Sequence, residues 1–433
     1  MTFTAAVLVA AAVFYTGWGL LGARGLKPEH SIDSKTLFDL VKLSFGVVAG
    51  AGALVALVVA YRRQRVDEDG ALREATRLHT ERFTAAVAQL GDASAAVRLG
   101  GVHALAGLAD DAPTRDLRQT CLDVLCAYLR LPYTAETDLP TNDATARHAF
   151  LAMRQVRHTV LRLIRDHLRI APAHPHSWRG HDFDLTEVTF DGGDLSDSVF
   201  SDGRFSFAGA VFSDGRFSFA GAVFAGGTLD FSGATFSGGT VDFTEAVFSG
   251  GTVDFERALF FDGRVDFTRS RFPNASVFFT HAQFLGGRID FSRAVFSGGR
   301  VYFTDAKFSN GRITFDQARF SDGRVDFTNA GFCGSTVHFA NAEFRGGRVG
   351  FGRARFSDGR VGFDRARFSD GTVHFNGATF SDNIGTFADA RFSGGTVDFS
   401  RAGGTTPHGL VPSGGSPAPA GLALPPEWYP TGA

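Results

Sequence analysis

Phenylalanine stands at position 200 and at every twelfth position through 392, 17 positions without an exception. A second series, Phe207 to Phe399, has the same period and is also unbroken. Alanine holds 210 through 402 apart from Ser270, and glycine holds 203 through 395 apart from Ala275, Ser335 and Asn383. Position 205 and its equivalents are Phe, Leu, Val or Ile except at Gly385. A fixed period sustained over about 200 residues means a solenoid, in which each unit buries its apolar face only by stacking on a neighbour.

One unit, Ala246 to Arg257, shows how the chain must run. Ala246 and Phe248 are two apart and so share one face of an extended segment, as do Val253 and Phe255. Val247 and Asp254 then point outward. Each unit is two short strands, with one corner at Ser249 to Thr252 and a tighter one at Glu256-Arg257. Glycine at the third position of the longer corner supplies the backbone freedom the bend needs. Twelve residues are too few to close a coil around packed side chains, whereas two units give four short sides. A whole number of units per coil stacks every Phe on a Phe above and below, with parallel ladders about 4.8 Å apart.

Read in fives, Val188-Thr-Phe190-Asp-Gly, Gly193-Asp-Leu195-Ser-Asp and Ser198-Val-Phe200-Ser-Asp repeat a small residue, a polar one, a central Leu or Phe and a polar pair. After Phe200 the pattern is two pentapeptides plus two further residues, as in Ala246-Val-Phe248-Ser-Gly, Gly251-Thr252, Val253-Asp-Phe255-Glu-Arg257. Residues 181–402 thus resemble the pentapeptide-repeat proteins. The resemblance implies a right-handed quadrilateral parallel β-helix, with the two-residue insertion bulging alternate corners. The whole layout resembles membrane-anchored pentapeptide-repeat proteins of actinobacteria, and 39 Arg against 4 Lys suits a GC-rich genome.

The rest of the chain sets the expected α+β multi-domain organisation. Residues 1–61 hold two uncharged apolar runs, Phe3 to Ala23 and Leu43 to Tyr61, each near the about 20 residues that cross a bilayer as a helix. They are expected to form a transmembrane helical hairpin, with the lipid bilayer as a partner. Arg62, Arg63 and Arg65 follow the second run, so the positive-inside rule places residues 62–433 in the cytoplasm of a multi-pass membrane protein. Residues 62–173 read as a small α-helical domain. Gly91-Asp92 ends one helix, Ser94 is placed to cap the next, Pro113 and Pro132 bound a third, and Ala144 to Ile170 is a fourth. The segment from Ser94 to Ala109 resembles one unit of a HEAT-like repeat. The fourth helix carries Arg147, Arg154, Arg157, Arg162, Arg165 and Arg169, read as the solvated face of a bundle helix rather than a lipid or nucleic-acid surface. Residues 174–402 are the β-helix, its first coil capped by residues 174–182 around Trp178. Residues 403–433 hold 7 of the 14 Pro and read as a disordered, solvated tail.

No catalytic, cofactor-binding or metal-binding residue emerges. Nucleophile elbows, phosphate loops and zinc spacings are missing from the sequence. His174, His176 and His181 have no Cys or acidic cluster beside them to complete a metal site. Asp230, Asp242, Asp254, Asp266, Asp290, Asp326 and Asp398 are expected to stack along one outer face beside an Arg row from Arg204 to Arg360. Calcium-binding rolls have a nine-residue period, so these rows read as solubilising charge. Three Cys fit a reducing compartment. The expected function is therefore non-enzymatic: a membrane-tethered scaffold for an unidentified protein partner, with no small-molecule substrate. Some pentapeptide-repeat proteins mimic DNA toward type II topoisomerases, which gives an alternative. Here residues 181–254 hold 12 acidic and 2 basic residues, but residues 255–402 hold 15 acidic and 20 basic. Only the first third has the charge of a mimic, so nucleic-acid-like work is not the leading expectation, and at a net charge of −2 nucleic acid is not an expected partner.

Overall fold

The computed structural model describes residues 33–134, 143–381, 385–410 and 418–429, and also Thr16, Glu136, Leu139 and Pro140. The chain divides into two units, 1–78 and 79–433. Among the described residues, four long helices precede the strands: α1 (Ser34–Leu90), α2 (Ala95–Asp110), α3 (Arg115–Arg130) and α4 (Ala144–Arg169).

The expected transmembrane hairpin is not found. Among the described residues no helix is long and apolar enough to cross a membrane. The run Phe3 to Ala23 lies outside the described residues apart from Thr16. The second run falls inside α1, which does not end with it but continues through Arg62, Asp67, Glu68 and Asp69 to Leu90.

In the second unit α2, α3 and α4 pack around Leu105, Leu122, Leu125, Val156, Val160 and Ile164, all at most 2% exposed. Local chemistry sets the helix starts. The Thr114 hydroxyl accepts the Leu117 N–H ahead of α3, and the Asp143 carboxylate accepts the Ala146 N–H ahead of α4. Ser94 precedes α2 but makes no side-chain cap. Burial pushes the thiols of Cys121 and Cys126 up to about 11 and about 12, as expected for cysteines serving as small apolar core residues.

The remainder is a parallel β-solenoid with four strands per coil. In one coil these are Thr228–Asp230, Thr235–Ser237, Thr240–Asp242 and Val247–Phe248. The next coil lays Thr252–Asp254, Leu259–Phe261, Arg264–Asp266 and Arg271–Phe272 on them in parallel, each residue opposite the one 24 positions earlier. The coil therefore holds two twelve-residue units. Glu343–Gly350 and Arg367–His374 run on as single strands through the longer corner, with a register shift between Phe344 and Arg348 where the two extra residues sit.

Both Phe series point inward. Phe236 stacks on Phe260 at 4.6 Å between ring centroids, and Phe255 on Phe279 at 4.7 Å, each pair within 3° of parallel. Across the interior Phe231 and Phe243 meet edge to face at 6.0 Å and 89°. Each coil thus carries four rings, two in mutually perpendicular columns, which combine the offset-stacked and T-shaped arrangements that aromatic quadrupoles favour. The one Ala exception, Ser270, is fully buried, and its hydroxyl donates to the Phe243 carbonyl at 2.8 Å. That bond removes the cost of an unpaired buried hydroxyl.

The two corners differ. At the short one Ala258 N–H donates to the Phe255 carbonyl at 3.1 Å, and Arg257 has φ 57°, the type II pattern. At the long one Gly239 has φ +56°, and a side chain there would run into the Gly215 carbonyl of the preceding coil. Glycine is required at this corner by close approach of successive coils as well as by its dihedral angle.

Both ends of the solenoid are covered, in ways the sequence did not indicate. At the start, α3 and α4 dock on the first coil. The Trp178 indole stacks on His167 at 3.9 Å and donates to Asp110 at 2.9 Å in the helical core, while Asp182 joins the first coil by accepting the Arg204 N–H at 2.8 Å. At the other end, Leu422–Ala423 pairs with Val397–Asp398, and Trp428 lies against Phe380 and Phe399 with centroids 5.9 and 5.7 Å away. Its indole N–H donates to the Gly404 carbonyl at 2.9 Å. Residues 403–410 and 418–429, expected in a solvated tail, instead plug the last coil, because an open stack of Phe rings needs an apolar cover.

Candidate functional site: the outer columns and the docked first coil

The Asp positions form two outer columns, not one. Asp230 and Asp254 stack on one side of the coil, and Asp242, Asp266 and Asp290 on another. A twelve-residue period in a 24-residue coil sends alternate units to different sides. Each Asp ends its strand and accepts the N–H two residues on: Asp254 from Glu256 at 2.8 Å, Asp242 from Thr244 at 2.8 Å, Asp290 from Ser292 at 3.0 Å. These are Asx turns that hold the short corner. The Arg positions pair with them. Arg216 meets Asp242, Arg264 meets Asp266, Arg288 meets Asp290 at 3.1 Å and Arg324 meets Asp326 at 2.6 Å. The two rows are a structural lattice as well as surface charge.

The lattice thins toward the far end. Thr314, His338, Gly350 and Gly362 stand where Asp would, and Arg312, Arg348 and Arg360 make no ion pair among the described residues. Two positions equivalent to the outward Asp are aromatic. Phe278 and Tyr302 are 24 residues apart and therefore adjacent, with rings 5.2 Å apart and 6° from parallel.

The acidic start of the solenoid is engaged by the basic helices. Arg130 pairs with Asp184, Arg165 with Asp194, and Arg169 with Asp197 at 3.2 Å. Asp191 sits at the centre. Its carboxylate accepts Tyr133 Oη at 2.7 Å and lies 3.0 Å from His158 Nε2 and 2.8 Å from Arg154. The buried Arg157 donates to the carbonyls of Leu129 at 2.6 Å and Thr189 at 2.6 Å, bridging α3 and the first coil. So the Arg face of α4, expected to be solvated, is in large part an intramolecular interface. Arg147 pairs instead with Glu136 at 3.1 Å, and Arg162 stands at the edge of the interface with Asp166 4.0 Å away.

Burial works to raise the Asp191 carboxyl, but the hydrogen bonds from His158 and Tyr133 outweigh it and hold the group below the usual carboxylate range. Asp194 is held down in the same way, burial being outweighed by Ser196 and Arg165. A depressed folded-state value gives stability that is present above the ordinary pKa of about 4 and is lost as pH falls through the lower value. Acid is therefore expected to undock the helices from the first coil before the Phe stack opens. Limited proteolysis between α4 and the solenoid, followed from neutral pH to about pH 2, checks this. A junction that stays protected throughout contradicts it.

Burial and the nearby Arg115 and Arg118 hold His181 down at about 4, so it stays neutral at physiological pH. His174 and His176 stack edge to face at 5.1 Å, and among the described residues no group of His, Cys, Asp and Glu has the geometry to hold a metal ion. The Asp191 cluster escaped sequence reading because Tyr133, Arg154 and His158 lie outside the repeat and at no characteristic spacing from Asp191.

Fold and surface together define a parallel β-solenoid repeat protein with stacked Phe, consistent with a pentapeptide-repeat fold and carrying a helical domain on its first coil. No family model matches the chain, and comparison with curated proteins and with solved structures gives no match either.

Proposed function

We propose that residues 181–402 are a pentapeptide-repeat solenoid and that the protein is a non-enzymatic interaction scaffold, binding a protein partner along its outer columns. The observation that supports this most is the filled interior. With four Phe per coil in van der Waals contact, recognition has to use the outside of the solenoid. There the 24-residue register repeats side chains at about 4.8 Å, a rigid and closely spaced array. The far coils, where Arg312, Arg348 and Arg360 lack carboxylates, are the part that fits an acidic partner face.

The alternative, a DNA-mimic modulator of a type II topoisomerase, needs free negative charge along the rod. Asp184, Asp191, Asp194 and Asp197 are instead occupied by arginines of the same chain. Cross-linking and affinity capture with the full chain test the scaffold, using an Arg312→Glu, Arg348→Glu, Arg360→Glu variant as comparison. A partner held by the wild type and lost from a variant of unchanged β-signal is expected. Equal retention of that partner contradicts the outer-column reading. In a supercoiling assay, little or no gyrase inhibition is expected, and potent, salt-sensitive inhibition favours the mimic.

A further inference from the structure

A cleft of about 390 Å³ opens between α4 and the first coils, within the size range of small-molecule sites. Arg154, His158 and Arg162 follow one another at successive turns of α4, about 6 Å apart along its axis. Opposite them lie the backbone of Gly192-Gly193 and the side chain of Arg216. Two carboxylates, Asp191 and Asp194, line the floor.

Those two carboxylates are already compensated. Asp191 is 8% exposed and is held by Tyr133, His158 and Arg154, and Asp194 is paired with Arg165. The cations are less fully used. Arg162 is half-exposed, and its nearest carboxylate is Asp166 at 4.0 Å. Arg154 approaches Asp191 through Nε at 2.8 Å without a hydrogen bond from that nitrogen, and the exposed Arg216 donates to Asp242 through Nη2. Guanidinium groups with unspent donors thus converge on the cleft from both walls, the fork geometry that recognises phosphate oxygens. Apart from His158, whose imidazole is engaged by Asp191 at 3.0 Å, the lining contains no aromatic or aliphatic side chain to stack on a nucleobase or sugar ring.

We propose that this cleft binds a short linear phosphate chain, of the pyrophosphate or tripolyphosphate class, bridging Arg154 and Arg162 on α4 to Arg216 on the solenoid. Such a ligand ties the helical domain to the coil beneath it. Binding is independent of whether the outer columns hold a protein partner.

The test is titration calorimetry of the full chain with sodium tripolyphosphate, together with melting curves. Saturable binding tighter than about 1 mM and a raised melting temperature are expected. Arg162→Gln and Arg216→Gln should each weaken binding at least about tenfold, the effect of one lost charge-assisted contact of about 1.4 kcal/mol. Arg162→Gln leaves no buried partner behind, whereas Arg216→Gln also removes the ion-pair partner of Asp242, so circular dichroism and the melting temperature without ligand verify the fold of each variant. Sulfate at matched ionic strength should bind at least about tenfold more weakly than tripolyphosphate. Four results overturn the proposal: no saturation, undiminished binding by both variants, equal binding of sulfate, or ATP bound more tightly than tripolyphosphate.

Discussion

Phe291→Asp abolishes the native β-signal of several coils. Phe291 is 1% exposed, stacked on Phe267 at 4.6 Å and Phe315 at 4.9 Å, and edge-on to Phe279 and Phe303. Removing the ring alone costs about 3–5 kcal/mol. The carboxylate adds the larger penalty of a buried charge with no cation in reach, since its neighbours in the column are rings. In a solenoid each coil is held only by its neighbours, so the damage spreads along the stack and does not stay local. Circular dichroism and thermal melting read the loss. A variant with unchanged signal and midpoint means that Phe291 does not point inward.

The second large effect is expected at a corner. Gly239→Val forces a β-branched residue to φ +56° and drives its Cβ into the Gly215 backbone, 2.9 Å from its nitrogen before any relaxation. The dihedral strain alone costs about 1–3 kcal/mol, and the collision pushes two coils apart along their ladder. Val at Gly403, where an added Cβ meets nothing within 4 Å, is the control. The melting temperature should drop for Gly239→Val and stay near wild type for Gly403→Val. Similar drops for both variants exclude close coil approach as the cause.

Much of the solenoid was legible because the period is a direct statement of geometry. Phe at 200 and 207, Ala at 210 and Gly at 203 specify two inward strands and two corners without knowledge of any other segment. The side assignment of the Asp positions required one further step. Two units per coil separate Asp242 from Asp254 and place Phe278 beside Tyr302. What remained hidden depends on contacts distant in sequence and outside the repeat. Arg154 meets Asp191 across a loop, and Trp428 reaches Phe399 after a stretch rich in Pro and Gly. In composition the C-terminal segment is indistinguishable from a solvated tail, and only the exposed end of the Phe stack explains why it folds back. The α4 arginines follow the same logic, since a basic helix face reads as solvated until the acidic first coil is placed under it.

The rule that each residue sits on the one 24 positions earlier is tested most directly by disulfide cross-linking at outward positions. Thr252 and Ser276 face each other in adjacent parallel strands, at a Cα separation of about 4.8 Å, inside the range a disulfide accepts. Thr252 and Arg264 are only twelve residues apart, yet they lie in strands of different sheets. With the exposed Cys333 replaced by Ser, Thr252→Cys with Ser276→Cys is expected to oxidise readily to an intramolecular bond that leaves the fold intact. Thr252→Cys with Arg264→Cys is expected to stay reduced. Bond formation in the twelve-residue pair and none in the 24-residue pair contradicts the two-unit coil and the outer columns built on it.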